Sequence, residues 1–250
     1  GDTTYTFDGI YNYTIYDTGG TDTLDFSAYS FDLTINLDEP LSFIGSPLSS
    51  SSSGHSELVY DDGDMYSGYT LGIYNYEEME NVNAGSGNDT ITCNTTTNVI
   101  NCGAGADTVD NVGTGDTANG NAGNDYFYPS SYSITLIDGG SGDDFLAYKG
   151  SEFDLRIFTD AQLTSIEFIN IQWGTATTLN ISKQSIIDLE AAPFDVDGDG
   201  DNDASVFIYA DAALDTIQVD NEGWAYYTTS GIWDYYYNDG GGTWLVVTKD

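Results

Sequence analysis

The central part of the chain repeats one apolar residue about every nine positions. The series begins at Ile91 and Ile100 and continues, with single-residue insertions near its end, through Val109, Ala118, Phe127, Ile137 (or its neighbour Leu136) and Leu146. Two positions before each of these lies a second, mostly acidic series: Asp89, Asn98, Asp107, Asp116, Asp125, Thr135 and Asp144. A short turn followed by a short strand with one inward side chain fits this period. The pattern therefore predicts a parallel β-roll with two repeats in each coil.

The turns between these strands combine glycine with aspartate. Glycine permits the positive φ angles of a sharp turn and lets carbonyl groups face an ion, and Ca²⁺ prefers about six to eight oxygen ligands, some of them charged. A loop of the same composition without metal is the alternative, but repetition at one period, in phase with apolar residues, favours calcium. The predicted calcium-binding positions are Gly85, Gly87, Asp89, Gly103, Gly105, Asp107, Gly113, Gly115, Asp116, Gly120, Ala122, Asp125, Gly140, Gly142 and Asp144.

The two edges of the predicted roll differ in their acids. Turns on one edge recur every two repeats, and that edge carries an aspartate each time, at Asp89, Asp107, Asp125 and Asp144. The other edge has Asn98, Asp116 and Thr135 at the equivalent positions. We therefore expect about three strongly bound ions on the first edge and weak or no binding on the second, because Ca²⁺ requires charged oxygen ligands.

After residue 150 the nine-residue period stops and apolar and polar residues alternate, which predicts half-buried strands. A short helix is expected after Ser182, its possible N-cap. A second acidic motif, "DVDGDGDND", has the spacing of EF-hand-like and integrin-like calcium loops. Val206 stands where a standard EF-hand loop has glutamate, and a disordered acidic linker is the alternative. Its candidate ligands are Asp195, Asp197, Asp199, Asp201 and Asp203.

The last segment predicts an antiparallel meander of short aromatic strands separated by glycine turns. Successive side chains of a strand point to opposite faces, so its aromatic residues must cover both faces of a sheet. One face would be core, and an exposed aromatic face could stack on sugar rings. The alternative is that these residues only cover a small sandwich. The candidate ligand-binding residues are Trp224, Tyr226, Trp233 and Tyr235.

The chain is strongly acidic. The 250 residues include 41 acidic and 4 basic ones, for a formal charge of -37. This balance excludes nucleic acid as a partner, because nothing could neutralise phosphates, and argues against an anionic membrane surface. Bound cations would neutralise the acids; a halophilic surface is the alternative. No stretch is long and apolar enough to insert into a bilayer, and the start, "GDTTYTF", without Met or signal peptide, is consistent with a piece of a longer protein.

Two cysteines, Cys93 and Cys102, lie nine residues apart. In a regular roll this spacing places them at opposite edges, beyond the roughly 7 Å Cα separation that a disulfide tolerates. Secreted proteins usually pair their cysteines, and the glycine-free segment between them could make this coil irregular. The sequence does not decide whether these cysteines form a disulfide.

The repeats resemble those of RTX proteins, which are secreted bacterial proteins with calcium β-rolls. The segments "GDTTYTF", "IYDTGGTDTLDFSAYS", "INLDEP" and "MENVNAGSGNDTI", in this order, resemble the region that joins the protease to the β-roll in serralysin-type metalloproteases. The resemblance covers roughly residues 1–147. It implies a further calcium held by Gly20, Asp22, Glu80 and the carbonyl of Glu78. It also implies export by a type I system and an extracellular location. The Ser-rich insertion at residues 46–56 departs from the family pattern.

No catalytic site is predicted. The protease of that family needs an H-E-x-x-H motif, whereas this chain has a single histidine, His55, and no G-x-S-x-G motif. The predicted fold is all-β: residues 1–83 as a serralysin-like β segment with sandwich-like elements, residues 84–147 as the parallel β-roll, and residues 148–250 as an antiparallel β domain with the acidic loop. The predicted function is a non-catalytic calcium module that folds after export and serves for stabilisation or display. The alternative is an adhesin-type module that binds polysaccharide or a cell surface.

Overall fold

The computed structural model describes residues 1–7, 13–16, 19–38, 57–60, 71–74, 79–159, 161–173, 175–189, 204–211, 214–220, 224–230, 233–238 and 243–248. Regular structure in these ranges is almost entirely β, which confirms the predicted all-β class. The chain forms two compact units, residues 1–137 and 138–250. None of the helices in the described ranges has the length and apolarity needed to span a membrane.

The first unit is built from short parallel strands in two main sheets. One sheet has the order β1-β3-β7-β9-β11, the other has β5-β4-β8-β10-β12, and β2 pairs with β6. Only the β4–β5 pair is antiparallel among the described pairs of this unit. The strands are β1 Thr4–Thr6, β2 Tyr13–Tyr16, β3 Asp22–Asp25, β4 Leu33–Asn36, β5 Glu57–Tyr60, β6 Leu71–Tyr74, β7 Met79–Asn83, β8 Thr90–Thr92, β9 Val99–Ala104, β10 Thr108–Val112, β11 Thr117–Ala122 and β12 Tyr126–Pro129.

The register of these strands follows the predicted two-repeat period. Ile91 lies opposite Val109, and Val109 lies opposite Phe127. In the other sheet, Ile100 lies opposite Ala118. All five side chains are fully buried. Each coil therefore places an apolar residue at the same inward position of each sheet, as a parallel β-roll requires.

Amide side chains reinforce the stacking of coils. The Nδ2 of Asn101 donates to Oδ1 of Asn83 over 2.8 Å, and the Nδ2 of Asn119 donates to Oδ1 of Asn101 over 2.8 Å. These residues occupy equivalent positions of β7, β9 and β11. The ladder fixes the register on the outer face of a sheet whose inner face is set by apolar packing.

The second unit combines parallel and antiparallel strands. β14, β17, β19 and β23 pair in parallel in this order, while β23, β22 and β21 pair antiparallel; a separate parallel sheet has the order β15-β18-β20. The strands are β13 Leu136–Asp138, β14 Phe145–Ala147, β15 Glu152–Asp154, β16 Leu163–Thr164, β17 Phe168–Asn170, β18 Thr178–Ile181, β19 Ala204–Tyr209, β20 Thr216–Val219, β21 Trp224–Ser230, β22 Trp233–Asn238 and β23 Thr243–Thr248.

Two features of the second unit bear on the sequence predictions. The helix α1, Lys183–Asp188, begins as expected after Ser182, whose hydroxyl accepts the N–H of Ser185 in a reciprocal capping box. Parallel pairing extends well past residue 148, so the antiparallel part of the described strands in this unit is limited to β21–β23. The sequence did not predict this parallel pairing, because β17 and β19 stack without the nine-residue glycine repeat that marks the roll.

Candidate calcium-binding turns

The turns that precede β8, β10 and β12 stack directly on one another. Gly103 and Gly105 have φ angles of 102° and 138°, which are accessible to glycine but strained for most other residues. A Cβ atom on Gly103 would collide with the carbonyl of Gly85, and one on Gly105 would collide with the carbonyl of Gly87. The glycines are therefore required both by backbone conformation and by the closeness of the neighbouring turn.

The third turn differs from the sequence prediction. Gly120 and Ala122 were expected as turn positions, but both lie within β11. Asn121 pairs with Gly103 and has a φ of 72°, and Gly123, with a φ of 130°, stacks on Gly105. Asparagine tolerates the left-handed region better than most residues, so it replaces the glycine that the repeat pattern led us to expect one position away.

The aspartates of these turns form a ladder between coils. The N–H of Leu33 donates to Oδ1 of Asp89 over 2.7 Å, the N–H of Asp89 to Oδ1 of Asp107 over 2.6 Å, and the N–H of Asp107 to Oδ1 of Asp125 over 2.8 Å. In each step, one coil donates a main-chain N–H to the carboxylate of the next. One carboxylate oxygen of each aspartate is thus engaged in holding two coils together.

The second carboxylate oxygen differs between these aspartates, and in Asp89 it accepts the N–H of Gly85 over 3.2 Å. Oδ2 of Asp107 is buried and accepts no hydrogen bond within the described residues. On the opposite edge, Oδ1 and Oδ2 of Asp116 accept the N–H groups of Asn98 and Gly113 over 2.8 and 2.7 Å. Because a buried unpaired carboxylate oxygen is costly, Asp107 fits a cation ligand, whereas the protein itself satisfies Asp116.

Burial dominates the electrostatics of the first edge. It raises the pKa of Asp107 to about 7 and those of Asp89 and Asp125 to about 6, against an ordinary value of 3.8. Main-chain N–H donors oppose the rise in all three, and the neighbouring aspartates add to it at Asp107. Without a cation, these buried carboxylates are therefore poorly stabilised as anions at neutral pH.

The opposite edge is closed by uncharged or satisfied groups. Asn98 accepts the N–H of Asn94 over 3.1 Å and donates its Nδ2 to the carbonyl of Glu80 over 3.0 Å. Gly113 and Gly115 belong to the turn that ends at Asp116, and Gly113 has room for a Cβ atom. Weaker calcium binding on this edge stays a prediction.

The first predicted site brings together the expected residues. The N–H of Asp22 donates to Oε2 of Glu80 over 2.7 Å, and Oδ1 of Asp22 accepts the N–H of Thr3 over 2.8 Å. Oδ2 of Asp22 is buried and accepts no hydrogen bond in the described part of the chain. Gly20 has a φ of 146° and sits against the main chain of Gly1. Asp22 therefore repeats the arrangement found at Asp107.

In the second unit, the structure adds a residue that the sequence analysis missed. Gly140 and Gly142 have φ angles of 96° and 143° and lead to the fully buried Asp144. The N–H of Asp144 donates to Oε2 of Glu167 over 2.8 Å. Glu167 immediately precedes β17, as Asp144 precedes β14, so this pair repeats the N–H to carboxylate arrangement of the ladder. The available signal was the similarity between "MENVN" and "IEFIN", where glutamate stands next to or within a strand.

Other predicted residues are separated from these turns or fall outside the described ranges. Glu78, Asp195, Asp197, Asp199, Asp201 and Asp203 lie outside the described residues, as do the side chains of Tyr226, Trp233 and Tyr235. Trp224 is half-buried in the second unit. Cys93 and Cys102 are both fully buried free thiols, and the Cys93 thiol is hydrogen-bonded to Asp116.

The donor set suits a hard cation. In the described residues, no three carboxylate, imidazole or thiol side chains converge, so any site on these turns must draw on main-chain carbonyl oxygens as well as aspartate. Mixed carboxylate and carbonyl oxygens are the ligands of Ca²⁺, whereas Zn²⁺ prefers nitrogen and sulfur. The buried Oδ2 atoms of Asp22 and Asp107 supply charged donors, so the residues fit calcium.

A protein-family model agrees with this geometry, although no single curated protein does. None of the curated proteins matches the chain significantly. The family model described as Peptidase M10 serralysin C terminal matches residues 5–218. That range contains the stacked turns, the Asp22 and Glu80 pair, and Glu167. The chain belongs to the serralysin C-terminal family of RTX calcium-binding domains of secreted proteins.

Proposed function

We propose that this chain is a calcium-triggered folding module of a secreted protein. The observation that carries the proposal is Oδ2 of Asp107, a carboxylate oxygen that is buried between stacked turns without a hydrogen-bond donor. Folding without a cation must desolvate this oxygen with no compensation. Folding with calcium converts the same oxygen into a metal ligand, so binding free energy becomes folding free energy.

Charge supports the same proposal on the scale of the whole chain. A formal charge of -37 on 250 residues opposes compaction when no cation is bound. The strands of the roll are short, and each buries only one or two apolar side chains. Apolar burial per coil is therefore small, and the stacked carboxylates must be neutralised before this burial can hold the fold.

The module would stay unfolded where calcium is scarce and fold after export, which suits a type I secretion route. The folded roll would then stabilise or display the protein to which it belongs. Its candidate ligands are Asp22, Glu80, Asp89, Asp107, Asp125, Asp144 and Glu167, with the neighbouring turn carbonyls. We assign it no catalysis, since the chain lacks the H-E-x-x-H motif of the family's protease.

The test is a calcium titration of chelator-treated protein, followed by far-UV circular dichroism and tryptophan fluorescence. We expect a cooperative gain of β signal with Ca²⁺ and none with Mg²⁺, because Mg²⁺ demands near-octahedral geometry and gives up its waters reluctantly. Calorimetry would then count the sites. A chain that is already folded in chelator and unchanged by calcium would refute the proposal.

A further inference from the structure

A cavity of about 270 Å³ lies in the second unit, between β20 and the antiparallel strands β21–β23. Ile217 and Val219 of β20 form one wall, and Leu245 and Val247 of β23 belong to the opposite wall. The volume is slightly below the roughly 300 Å³ at which pockets for drug-sized ligands begin. The cavity is therefore the size of a ligand with a single ring.

One wall carries a carboxylate where packing alone calls for an apolar residue. Asp234 lies opposite Val247, and Tyr236 lies opposite Leu245, in the register of β22 and β23. All four line the cavity, so they share one face of the sheet. The inner face of a two-sheet sandwich is normally filled with apolar side chains. Asp234 thus places a carboxylate in a wall that is otherwise apolar and aromatic.

The cavity also contains a hydrogen-bond donor. Trp224 lines the cavity, and its indole Nε1 is buried without a hydrogen-bond partner among the described residues. Buried Trp N–H groups usually find an acceptor, and an unsatisfied one is destabilising. A ligand oxygen in the cavity would satisfy this donor.

We propose that the cavity binds one ring of a neutral saccharide. A sugar ring offers C–H faces to the aromatic rings of Trp224 and Tyr236, hydroxyl donors to the carboxylate of Asp234, and oxygen acceptors to the indole N–H of Trp224. The combination of apolar walls and a few placed polar groups is typical of small-ligand sites. Uronic acids are disfavoured, because both Asp234 and the charge of -37 repel anions.

The proposed site is a cleft and not a flat aromatic platform. Trp224 lies in this cleft together with a carboxylate, and Asp234 and Tyr236 are the specificity-determining residues. It is also independent of calcium-triggered folding, since all of the residues on which it rests belong to β20–β23. Failure of sugar binding in a protein that still folds with calcium would affect this inference alone.

The test uses the full chain in calcium, titrated with glucose, galactose, mannose and N-acetylglucosamine, with galacturonic acid as the anionic comparison. Binding is followed by protein-detected NMR and calorimetry. We expect at least one neutral sugar to bind with a dissociation constant on the order of 1 mM or tighter and galacturonic acid to bind more weakly.

Two variants and a matched control separate a built site from a packing gap. Trp224→Phe keeps an aromatic ring but removes the N–H, and Asp234→Asn removes the charge; each should weaken binding about tenfold or more. Trp173→Phe should leave affinity unchanged, because Trp173 is exposed, contacts Lys149 and does not line the cavity. Calcium-dependent circular dichroism checks folding of each variant. The proposal is overturned if no neutral sugar binds, or if both folded site variants bind like the parent.

Discussion

Replacing Asp107 with asparagine should stabilise the protein in chelator and destabilise it in calcium. Asp107 is fully buried, and its Oδ1 accepts the N–H of Asp89 over 2.6 Å while its Oδ2 accepts nothing. The amide oxygen of asparagine can retain the hydrogen bond to Asp89. The variant therefore removes the buried charge and the candidate ligand while leaving the contact between coils intact.

The size of the effect in chelator follows from the pKa of Asp107. A rise from 3.8 to about 7 opposes folding by about 4 kcal/mol at about pH 8, since each pKa unit corresponds to about 1.4 kcal/mol. Asparagine removes this penalty but buries an amide group without an acceptor, at a cost of about 1–3 kcal/mol. We expect a net gain of about 1–3 kcal/mol in the free energy of unfolding.

The matched control is Asp116→Asn on the opposite edge. Both carboxylate oxygens of Asp116 accept main-chain N–H groups, from Asn98 and Gly113. Burial also raises the pKa of Asp116, but these two donors oppose the rise. An asparagine there must present its NH₂ group to one of them, so the free energy of unfolding should fall by about 1–3 kcal/mol in chelator and in calcium alike. The two substitutions are chemically identical, yet they should act with opposite sign in chelator.

The assay is urea or thermal unfolding followed by circular dichroism, in chelator and in saturating calcium, with a stabilising osmolyte if the ion-free chain is unfolded. In calcium, Asp107→Asn should raise the calcium concentration at the folding midpoint by about tenfold or more. If Asp107→Asn destabilises the protein in chelator as Asp116→Asn does, then Asp107 is a structural carboxylate and the argument from its unpaired oxygen is wrong.

Three further predictions concern pH, glycine and the thiols. Folding raises the pKa values of the Asp89, Asp107 and Asp125 side chains, so stability in chelator should be lost as the pH rises from about 4 to 7. In calcium, acidification should instead destabilise the protein, because protons compete with the ion for the carboxylates. Thermal unfolding across this pH range, with and without calcium, checks the opposite signs. Gly105→Ala should lower stability by about 2 kcal/mol or more, because it combines a positive φ with a collision against Gly87, while Gly113→Ala, which meets only ordinary contacts, should cost less than about 1 kcal/mol; a small loss at residue 105 would contradict the stacked-turn geometry. The two buried cysteines should react with a thiol reagent slowly in calcium and rapidly in chelator, and equal rates would show that the ion does not order the coils around them.

The repeat of the roll could be predicted from sequence because its period is physical. Each coil must return to the same sheet with the same inward residue, so Ile91, Val109 and Phe127 had to recur at one spacing. The acidic edge followed from the same period. The third turn could not be placed by glycine content alone, because Asn121 adopts the left-handed conformation that glycine usually supplies.

Features that depend on distant parts of the chain were beyond the sequence argument. The bond between Asp144 and Glu167 joins residues 23 positions apart, and the irregular spacing hides the ladder. The cavity beside Trp224 arises because β20 belongs to a different sheet from β21–β23. The cavity-lining residues of β21–β23 alternate with outward residues, as in any half-buried strand. This alternation indicated an aromatic surface, but it did not show that part of the surface would face a second sheet.

In the ladder, each coil donates an N–H to the carboxylate of the next coil. This arrangement limits which insertions and deletions such a chain can accept in evolution. Asp89, Asp107 and Asp125 are joined at separations of 18 residues. Gaining or losing a segment of that length would leave every donor facing an acceptor of the same kind. A change of half that length would exchange the two sheets and set the Asp107 edge against the Asp116 edge. Homologous modules should therefore differ in size by whole coils.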